Sequence, residues 1–129
     1  MSTILDSSAV LASLFQEPGQ DLVAAALAEG AGLCTANLAE VMTRLVRAGM
    51  PPADAAQVVA ELPVTVFDLD TDLAVRAGAM FALTRPFGLS LADRCCLALA
   101  LREQAPVLTA GRAWEPAGAA VGASVRLIR

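Results

Sequence analysis

Apolar residues along the chain alternate between short runs and longer stretches with helical spacing. Short apolar runs bounded by glycine, proline or acidic residues are typical of buried strands, and apolar repeats every three or four residues are typical of amphipathic helices. Strands are predicted at residues 2–5, 32–35, 64–69, 105–110 and 123–129. Helices are predicted at residues 7–16, 21–30, 36–49, 51–61, 70–85 and 89–104, with a short turn or helix at 111–118. This alternation predicts a three-layer α/β/α sandwich with a mostly parallel central sheet.

The length and composition indicate one folded domain. With 129 residues and 57% hydrophobic content, the chain is long enough for one core and too short for two domains of ordinary size. Residues 1–129 are therefore expected to form a single domain, with the Ala/Gly-rich stretch 117–123 as a flexible connection. The chain lacks an uninterrupted apolar stretch of about 18 residues, and no basic residue precedes Asp6. We therefore expect neither a membrane span nor a signal peptide, and predict a cytoplasmic location.

The absence of two residue types limits the available chemistry. The chain has no histidine, and its nine basic residues are all arginine. This excludes Ser-His-Asp and Cys-His catalysis, histidine-ligated zinc, lysine Schiff bases and Walker-type phosphate binding. An enzyme of this composition relies on carboxylates, hydroxyls and a hard metal ion. The formal net charge of −4 argues against broad electrostatic attraction to nucleic acid, although local arginine patches remain compatible with such binding.

Acidic side chains fall where predicted strands end or where the following helices begin. Asp6 follows the first strand, Glu40 lies about one turn into the helix after the second strand, and Asp93 lies near the start of the last long helix. Asn37 precedes Glu40 on the same helix face, and Thr109 closes the fourth strand. Ligands of parallel sheets collect at the carboxyl ends of the strands. Because a buried carboxylate is costly without a positive partner, a cation is expected near Asp6 unless this strand end faces solvent.

The segments ILDSSAVLA, ANLAEV, LSLADRCCLALA and VLTAGRAW occur in this order over essentially the whole chain. In order and spacing they resemble the PIN-domain ribonucleases, in particular the VapC-type toxins of bacterial toxin-antitoxin pairs. The resemblance implies a PIN-like sandwich in which Asp6, Glu40 and Asp93 bind Mg²⁺ or Mn²⁺ and position water for cleaving RNA. Physical chemistry agrees with this implication, because crowded carboxylates resist ionisation without a divalent cation, and water bound to such an ion is a stronger acid.

One position departs from this family pattern, since Gly111 stands where family members usually carry an acid. Three acids are enough to hold one ion, but the missing fourth acid leaves open whether one or two ions bind and whether activity is impaired. Glu115 lies one helical turn later and is a candidate substitute, although Pro116 biases it toward extended backbone. The sequence alone does not tell whether the glycine is natural or was introduced to silence a toxic nuclease.

Each of the three acids also has a purely structural interpretation. Asp6 can cap the first helix, and Glu40 can be a solvated helix residue. Asp93 stands three residues after Ser90, as in a capping box, where the two side chains satisfy each other's backbone amides. Capping and metal binding are compatible with each other.

Five further residues are candidates for supporting roles. Asn37, Ser7 and Thr109 are suited to orienting the acids or a water molecule, with local backbone hydrogen bonding as the equal alternative. Arg94 and Arg112 flank the predicted site and are candidates for contact with phosphate, with surface salt bridges as their alternative.

The run FDLDTDLA, with acids at positions 68, 70 and 72, suggests two other families. A haloacid-dehalogenase-type phosphatase normally uses a lysine, which this chain lacks. An EF-hand requires glycine and glutamate where Leu73 and Ala79 stand. The acids are therefore interpreted as residues at a helix N-terminus, where negative charge is favourable.

Two functions are consistent with these observations. The first is a metal-dependent endoribonuclease toxin that cuts single-stranded or looped RNA and is neutralised by a cognate antitoxin. The alternative is a catalytically impaired PIN-fold module that binds RNA or a protein partner. The antitoxin is expected to place an amphipathic helix in an apolar groove between about residues 20 and 60, with a basic side chain reaching the acids. A homodimer is also expected, whereas the RNA target and the identity of the antitoxin cannot be inferred from the sequence.

Overall fold

The computed structural model describes residues 3–129, so residue 2 of the first predicted strand lies outside the described part. The strands are Thr3–Leu5 (β1), Ala31–Cys34 (β2), Thr65–Phe67 (β3), Val107–Thr109 (β4) and Val125–Leu127 (β5). The helices are Ser7–Leu14 (α1), Gln20–Glu29 (α2), Thr35–Arg47 (α3), Pro52–Ala60 (α4), Thr71–Ala79 (α5), Phe81–Thr84 (α6), Leu91–Glu103 (α7) and Trp114–Val121 (α8). A 3-10 turn at Arg85–Phe87 follows α6.

All five strands run parallel, in the order β3-β2-β1-β4-β5. The central strand β1 pairs with β2 through Thr3 opposite Ala31, and with β4 through Ile4 opposite Val107. The chain proceeds from β1 toward one edge of the sheet and returns to β4 on the other side of β1. This reversal creates a crevice at the carboxyl ends of β1 and β4, the usual ligand position in such sheets. The predicted α/β/α sandwich with a parallel sheet is confirmed.

Two hydrophobic cores lie on the two faces of the sheet, because successive side chains of a strand point to opposite faces. Leu5 and Leu33 belong to a core that also contains buried residues of α1, α2, α3 and α4. Ile4 and Cys34 belong to the other core, which α5, α7 and α8 complete. Cys34 and the two cysteines of α7 are buried free thiols within this second core. Neighbouring residues of β1 therefore pack into both cores, and Asp6 follows this strand between the two helical layers.

The predicted helix over residues 70–85 is interrupted after Ala79. The Arg94 guanidinium donates a hydrogen bond to the Ala77 carbonyl, with Nη1 and the oxygen 3.0 Å apart. In an uninterrupted helix this carbonyl would accept from the backbone N–H of Phe81. The break therefore coincides with a long-range contact from α7 that local spacing did not reveal.

The Ala/Gly-rich stretch 117–123 is not the flexible connection expected from its composition, because α8 continues to Val121. Gly118 is buried, and a Cβ at this position would collide with Val125 of β5. The small residue therefore allows α8 to pack closely against the edge strand. Within residues 3–129, no helix has both the length and the apolar character needed to cross a membrane.

Candidate active site

Asp6 lies at the carboxyl end of β1, in the crevice formed by the strand order, and is only 4% exposed. Its carboxylate caps α1, because the backbone N–H of Ala9 donates to Oδ1 at 2.9 Å. The hydroxyl of Thr109, at the end of β4, donates to Oδ2 at 2.6 Å, and the Ser8 hydroxyl lies 2.7 Å from Oδ1. Groups from β4 and α1 therefore fix the orientation of this carboxylate.

Burial raises the pKa of Asp6 from its ordinary value of 3.8 to about 6. The hydrogen bonds from Thr109, Ala9 and Ser8 act in the opposite direction, and the negative charge of Asp93 adds a smaller upward effect. Loss of hydration thus outweighs three favourable hydrogen bonds. A positive ion beside this carboxylate would lower its pKa again, because it would stabilise the ionised form.

Glu40, on α3, is bound to the start of α1 by hydrogen bonds. Its Oε1 accepts a short hydrogen bond from the Ser7 hydroxyl and lies 3.4 Å from Nδ2 of the buried Asn37. The same Asn37 amide donates to the Ala92 carbonyl at 3.3 Å and so ties α3 to α7. Within residues 3–129, Oε2 of Glu40 takes part in no hydrogen bond. One of the two carboxylate oxygens therefore remains available for a ligand.

Asp93 forms the predicted capping box at the start of α7. The Ser90 backbone N–H donates to Oδ2 of Asp93 at 2.9 Å, and the Asp93 backbone N–H donates to the Ser90 hydroxyl at 3.2 Å. Oδ1 of Asp93 has no hydrogen bond to any other described residue. The structural and the ligand-binding interpretations of Asp93 are thus compatible, since each can use a different oxygen.

The three predicted acids line one cavity of about 270 Å³. Its lining residues are Asp6, Ser7, Ser8, Leu11, Glu40, Arg44, Asp93, Gly111 and Trp114. Segments far apart in sequence therefore bring their carboxylates to one place, as their positions at strand and helix ends predicted. Asn37 and Thr109 do not line the cavity, but each donates a hydrogen bond to one of its acids. Asn37 therefore helps to orient Glu40, and Thr109 helps to orient Asp6.

Neither of the two arginines predicted to contact phosphate lines the cavity. Arg94 donates to the Ala77 carbonyl, its guanidinium lies 5.1 Å from the centre of the Phe81 ring, and it does not line the cavity. Sequence adjacency to Asp93 was misleading here, because successive helix residues point in different directions. Arg112 is exposed after Gly111 and is also absent from the cavity lining.

Four cavity residues were not singled out from the sequence, namely Ser8, Leu11, Arg44 and Trp114. Ser8 donates to Asp6 and accepts from the backbone N–H of Ala110 at 2.9 Å, so it links β4 to the acid. Arg44 follows Glu40 by four residues, a spacing that places both side chains on one helix face and was available as a signal. The aromatic Trp114 gave no comparable signal.

Gly111 and Trp114 share the space in which a fourth acid would stand. A Cβ at Gly111 would lie 2.8 Å from Cδ1 and 3.2 Å from Nε1 of Trp114, so the indole occupies room that a side chain would need. Glu115 is exposed in the first turn of α8 and does not line the cavity. Pro116 lies inside this helix, where the first turn tolerates proline, so the expected bias of Glu115 toward extended backbone is wrong.

The donor set suits a hard divalent cation, although the side chains are not gathered around one point. Within residues 3–129, no three acidic, cysteine or histidine side chains lie close enough together to ligate one ion as they stand. Carboxylate oxygens are the ligands that Mg²⁺ and Mn²⁺ prefer. The raised pKa of Asp6 and the oxygens of Glu40 and Asp93 that lack hydrogen bonds fit such an ion. Binding would require the carboxylates to approach each other.

The PIN domain family profile matches residues 3–118, and the chain belongs to this family. Solved structures with the same fold include toxin-antitoxin proteins of the VapC type. A chain of VapBC2 from Rickettsia felis, bound to a promoter DNA fragment, superposes with a TM-score of 0.74 at 11% identity, with 98% of each chain covered. A chain of DNA-bound VapBC from Salmonella typhimurium superposes with a TM-score of 0.77 at 16% identity, with 100% of this chain and 99% of that chain covered.

VapC20 from Mycobacterium tuberculosis, described as a toxin that cleaves the sarcin-ricin loop, superposes with a TM-score of 0.68. Its identity to this chain is 18%, over 82% of this chain and 87% of that one. No curated protein sequence matches significantly. The predicted likeness to VapC-type PIN toxins is therefore confirmed at the level of family and fold.

Proposed function

We propose that residues 1–129 form one PIN-like domain that acts as a metal-dependent endoribonuclease toxin on single-stranded or looped RNA. The observation that carries this proposal is the convergence of three carboxylates, from Asp6, Glu40 and Asp93, on one cavity of a PIN-domain chain. The similarity to VapC-type toxins supports the toxin assignment. The cytoplasmic location and the homodimer remain predictions.

The proposed ligands of Mg²⁺ or Mn²⁺ are Asp6, Glu40 and Asp93. When bound there, such an ion makes a coordinated water more acidic and offsets negative charge on the phosphate of the substrate. The protein contributes by holding the three carboxylates in place. Thr109 and Ser8 orient Asp6 through hydrogen bonds of 2.6 and 2.7 Å. The capping box orients Asp93.

Glu40 has a different role in this proposal, because only one of its oxygens is hydrogen-bonded within the described residues. Ser7 and Asn37 hold its carboxylate at the cavity that all three acids line. A cation held by the three acids would offset the repulsion among their negative charges.

A catalytically impaired binding module is the second candidate, and the Trp114 side chain beside Gly111 favours it. The indole occupies the volume in which a fourth carboxylate would stand, so the site offers three acids at most. Such a module would bind RNA or a protein partner without cutting RNA. It would also retain the same fold and the same cavity.

The proposed protein partner is an antitoxin, by analogy with the VapBC complexes to which this fold is similar. An amphipathic helix would occupy an apolar groove formed by helices between about residues 20 and 60. Partly buried apolar side chains of that region, including Leu27, Met42 and Val58, offer suitable contacts. A basic side chain of the antitoxin would compensate the acids of the cavity.

Cleavage of a structured RNA by the purified protein tests the proposal. We expect cleavage with Mg²⁺ or Mn²⁺ and none with EDTA, and we expect Asp93→Asn to remove the activity. Asp70→Asn is the matched control, because it removes a carboxylate that likewise caps a helix but lies outside the cavity. Absence of any metal-dependent and Asp93-dependent cleavage would favour the binding module instead.

A further inference from the structure

The face of α3 that carries Glu40 continues into a row of positive charge. Arg44 follows Glu40 by four residues and Arg47 by seven, so the three side chains lie on one side of the helix. A second cavity of about 320 Å³ is lined by Ala39, Glu40, Thr43, Arg44 and Arg47. Glu40 and Arg44 line both this cavity and the one that contains the acids. The two depressions therefore adjoin along α3.

The charges of Arg44 and Arg47 are not used within the described part of the fold. Ion pairs among residues 3–129 involve Arg76, Arg102 and Arg129, whereas Arg44 and Arg47 are exposed and form none. Glu40 lies at the right spacing to pair with Arg44, but its carboxylate is bonded to Ser7 instead. Two positive side chains thus remain beside a cavity of acids, in a chain whose net charge is −4.

We propose that Arg44 and Arg47 bind backbone phosphates of the RNA strand next to the point of cleavage, an inference that rests on the proposed nuclease function. An RNA strand that approaches three carboxylates meets repulsion, and fixed positive charge at the cavity mouth offsets it. A guanidinium binds a phosphate through two parallel hydrogen bonds. The substrate then passes from the acids across the exposed face of α3.

The helix geometry assigns an order to these contacts. With a rise of about 1.5 Å per residue, Arg44 lies about 6 Å and Arg47 about 10 Å from Glu40 along the helix axis. Arg44 therefore contacts the phosphate nearest the cavity, and Arg47 contacts one further along the strand. The Thr43 hydroxyl, which lines the same cavity, already donates its proton to the Ala39 carbonyl at 2.9 Å. Along this face of α3, the two guanidinium groups therefore supply the contacts with phosphate.

Arg44 and Arg47 also have a purely structural interpretation, in which they stabilise α3 and do not contact RNA. Both arginines lie in the last turn of α3, where positive charge compensates the helix dipole. Their loss would then lower the melting temperature without affecting RNA. RNA binding measured in EDTA distinguishes the two interpretations. Without a divalent ion cleavage is suppressed, so the RNA stays intact and only its affinity for the protein is measured.

The test measures the affinity for a fluorescein-labelled single-stranded RNA as a function of NaCl concentration. For the double variant Arg44→Gln/Arg47→Gln we expect roughly tenfold weaker binding at low salt and a slope of log K against log salt reduced by about 1.4, since each phosphate contact on single strands contributes about 0.7. The single variants should each reduce the slope by about half as much. Lysine at both positions should retain the slope.

The matched control is Arg126→Gln on β5, which removes an exposed arginine that lines neither cavity and should leave affinity and slope unchanged. An unchanged slope in the double variant would overturn the inference, even if its melting temperature fell. So would loss of a co-purifying protein partner with unchanged RNA binding, because the arginines would then recognise protein.

Cleavage kinetics with Mn²⁺ separate failure of this inference from failure of the proposed function. We expect the double variant to raise KM roughly tenfold with little change in kcat, as for lost uniform binding. If the wild-type protein cleaves RNA and the double variant has the same KM, the phosphate contacts are contradicted. The proposed nuclease function is then unaffected. A salt slope that falls in the double variant, together with a wild-type protein that never cleaves RNA, would support the contacts and contradict the nuclease function.

Discussion

Asp6 and Asp70 have nearly the same local structure and opposite electrostatic environments. Each caps the helix that follows it, through an N–H···O bond of 2.9 Å from Ala9 and of 2.8 Å from Leu73. Their backbone angles are also alike, with φ −88° and ψ 177° for Asp6 and φ −84° and ψ 178° for Asp70. The cap alone therefore does not distinguish a candidate metal ligand from a residue that only begins a helix.

The surroundings of the two carboxylates account for the difference. Asp70 is exposed and pairs with Arg102 at 3.0 Å, and the Leu73 amide and this arginine lower its pKa. Asp6 is buried at the crevice between β1 and β4, where burial raises its pKa to about 6. The comparison shows that burial at the carboxyl end of β1, and not the helix cap, gives Asp6 a raised pKa while the exposed Asp70 has a lowered one. Asp70 and Asp72 thus stand at a helix N-terminus, as the sequence had indicated, and both pair with Arg102.

The largest expected effect concerns activity. If the proposed nuclease function is correct, Asp6→Asn should lower kcat/KM for RNA more than about 100-fold, because stabilisation by a bound ion is worth several kcal/mol. Asp70→Asn should leave cleavage within about twofold, since surface pairs contribute little. Gel-based cleavage assays with Mn²⁺ measure both. Equal losses in the two variants would contradict the difference between these aspartates.

The next effect is on stability in metal-free buffer. The folded protein holds a proton on Asp6 more tightly than the unfolded chain, so stability falls as pH rises from about 4 to about 6 and stays lower above that. Asp6→Asn should therefore raise the free energy of unfolding at pH 8 by up to about 3 kcal/mol, with little gain at pH 4. Urea denaturation with EDTA at the two pH values measures this. A gain of equal size at both would contradict the burial argument.

Adding a fourth carboxylate beside Asp6 tests how tightly this region is packed. Gly111→Asp should lower the free energy of unfolding by about 1–3 kcal/mol, because its Cβ would meet the Trp114 ring at 2.8 Å. Gly111→Ala is the control that isolates the steric part from charge repulsion. Thermal denaturation of both variants gives the comparison. An alanine variant as stable as the wild type would mean that the indole moves freely.

The smallest effect is expected at the exposed aspartate, Asp70, when its partner Arg102 is removed. Arg102→Gln should raise the pKa of Asp70, because a hydrogen bond and an attractive charge are lost. The stabilisation from a lowered carboxyl pKa is present above the ordinary pKa and disappears as pH falls through the folded value. Any destabilisation should therefore be seen at pH values above the ordinary carboxyl pKa, disappear at lower pH and weaken in high salt. Carbon-detected NMR titration of Asp70 reports the pKa directly.

The sequence was informative wherever a local pattern carried the structure. The parallel sandwich followed from alternating strands and helices, and the capping box of Ser90 and Asp93 from a three-residue spacing. The convergence of Asp6, Glu40 and Asp93 on one cavity followed from their positions at strand and helix ends. These features depend on short-range periodicity and on general rules for parallel sheets.

Long-range contacts account for what the sequence did not reveal. The break after α5 coincides with a hydrogen bond from Arg94, which also turns this arginine away from the acids. The helical Ala/Gly-rich segment depends on close packing of Gly118 against Val125. Such contacts join residues whose distance along the chain gives no hint of their proximity. Arg44 is the exception, since its spacing from Glu40 was visible.

Titration calorimetry with Mn²⁺ tests most directly whether the three cavity carboxylates share one divalent ion. The wild-type protein and Asp70→Asn should each bind one ion per chain, and Asp6→Asn should bind none over the same concentration range. A wild-type protein that binds no Mn²⁺, or an Asp6→Asn variant that binds it equally well, would contradict the account.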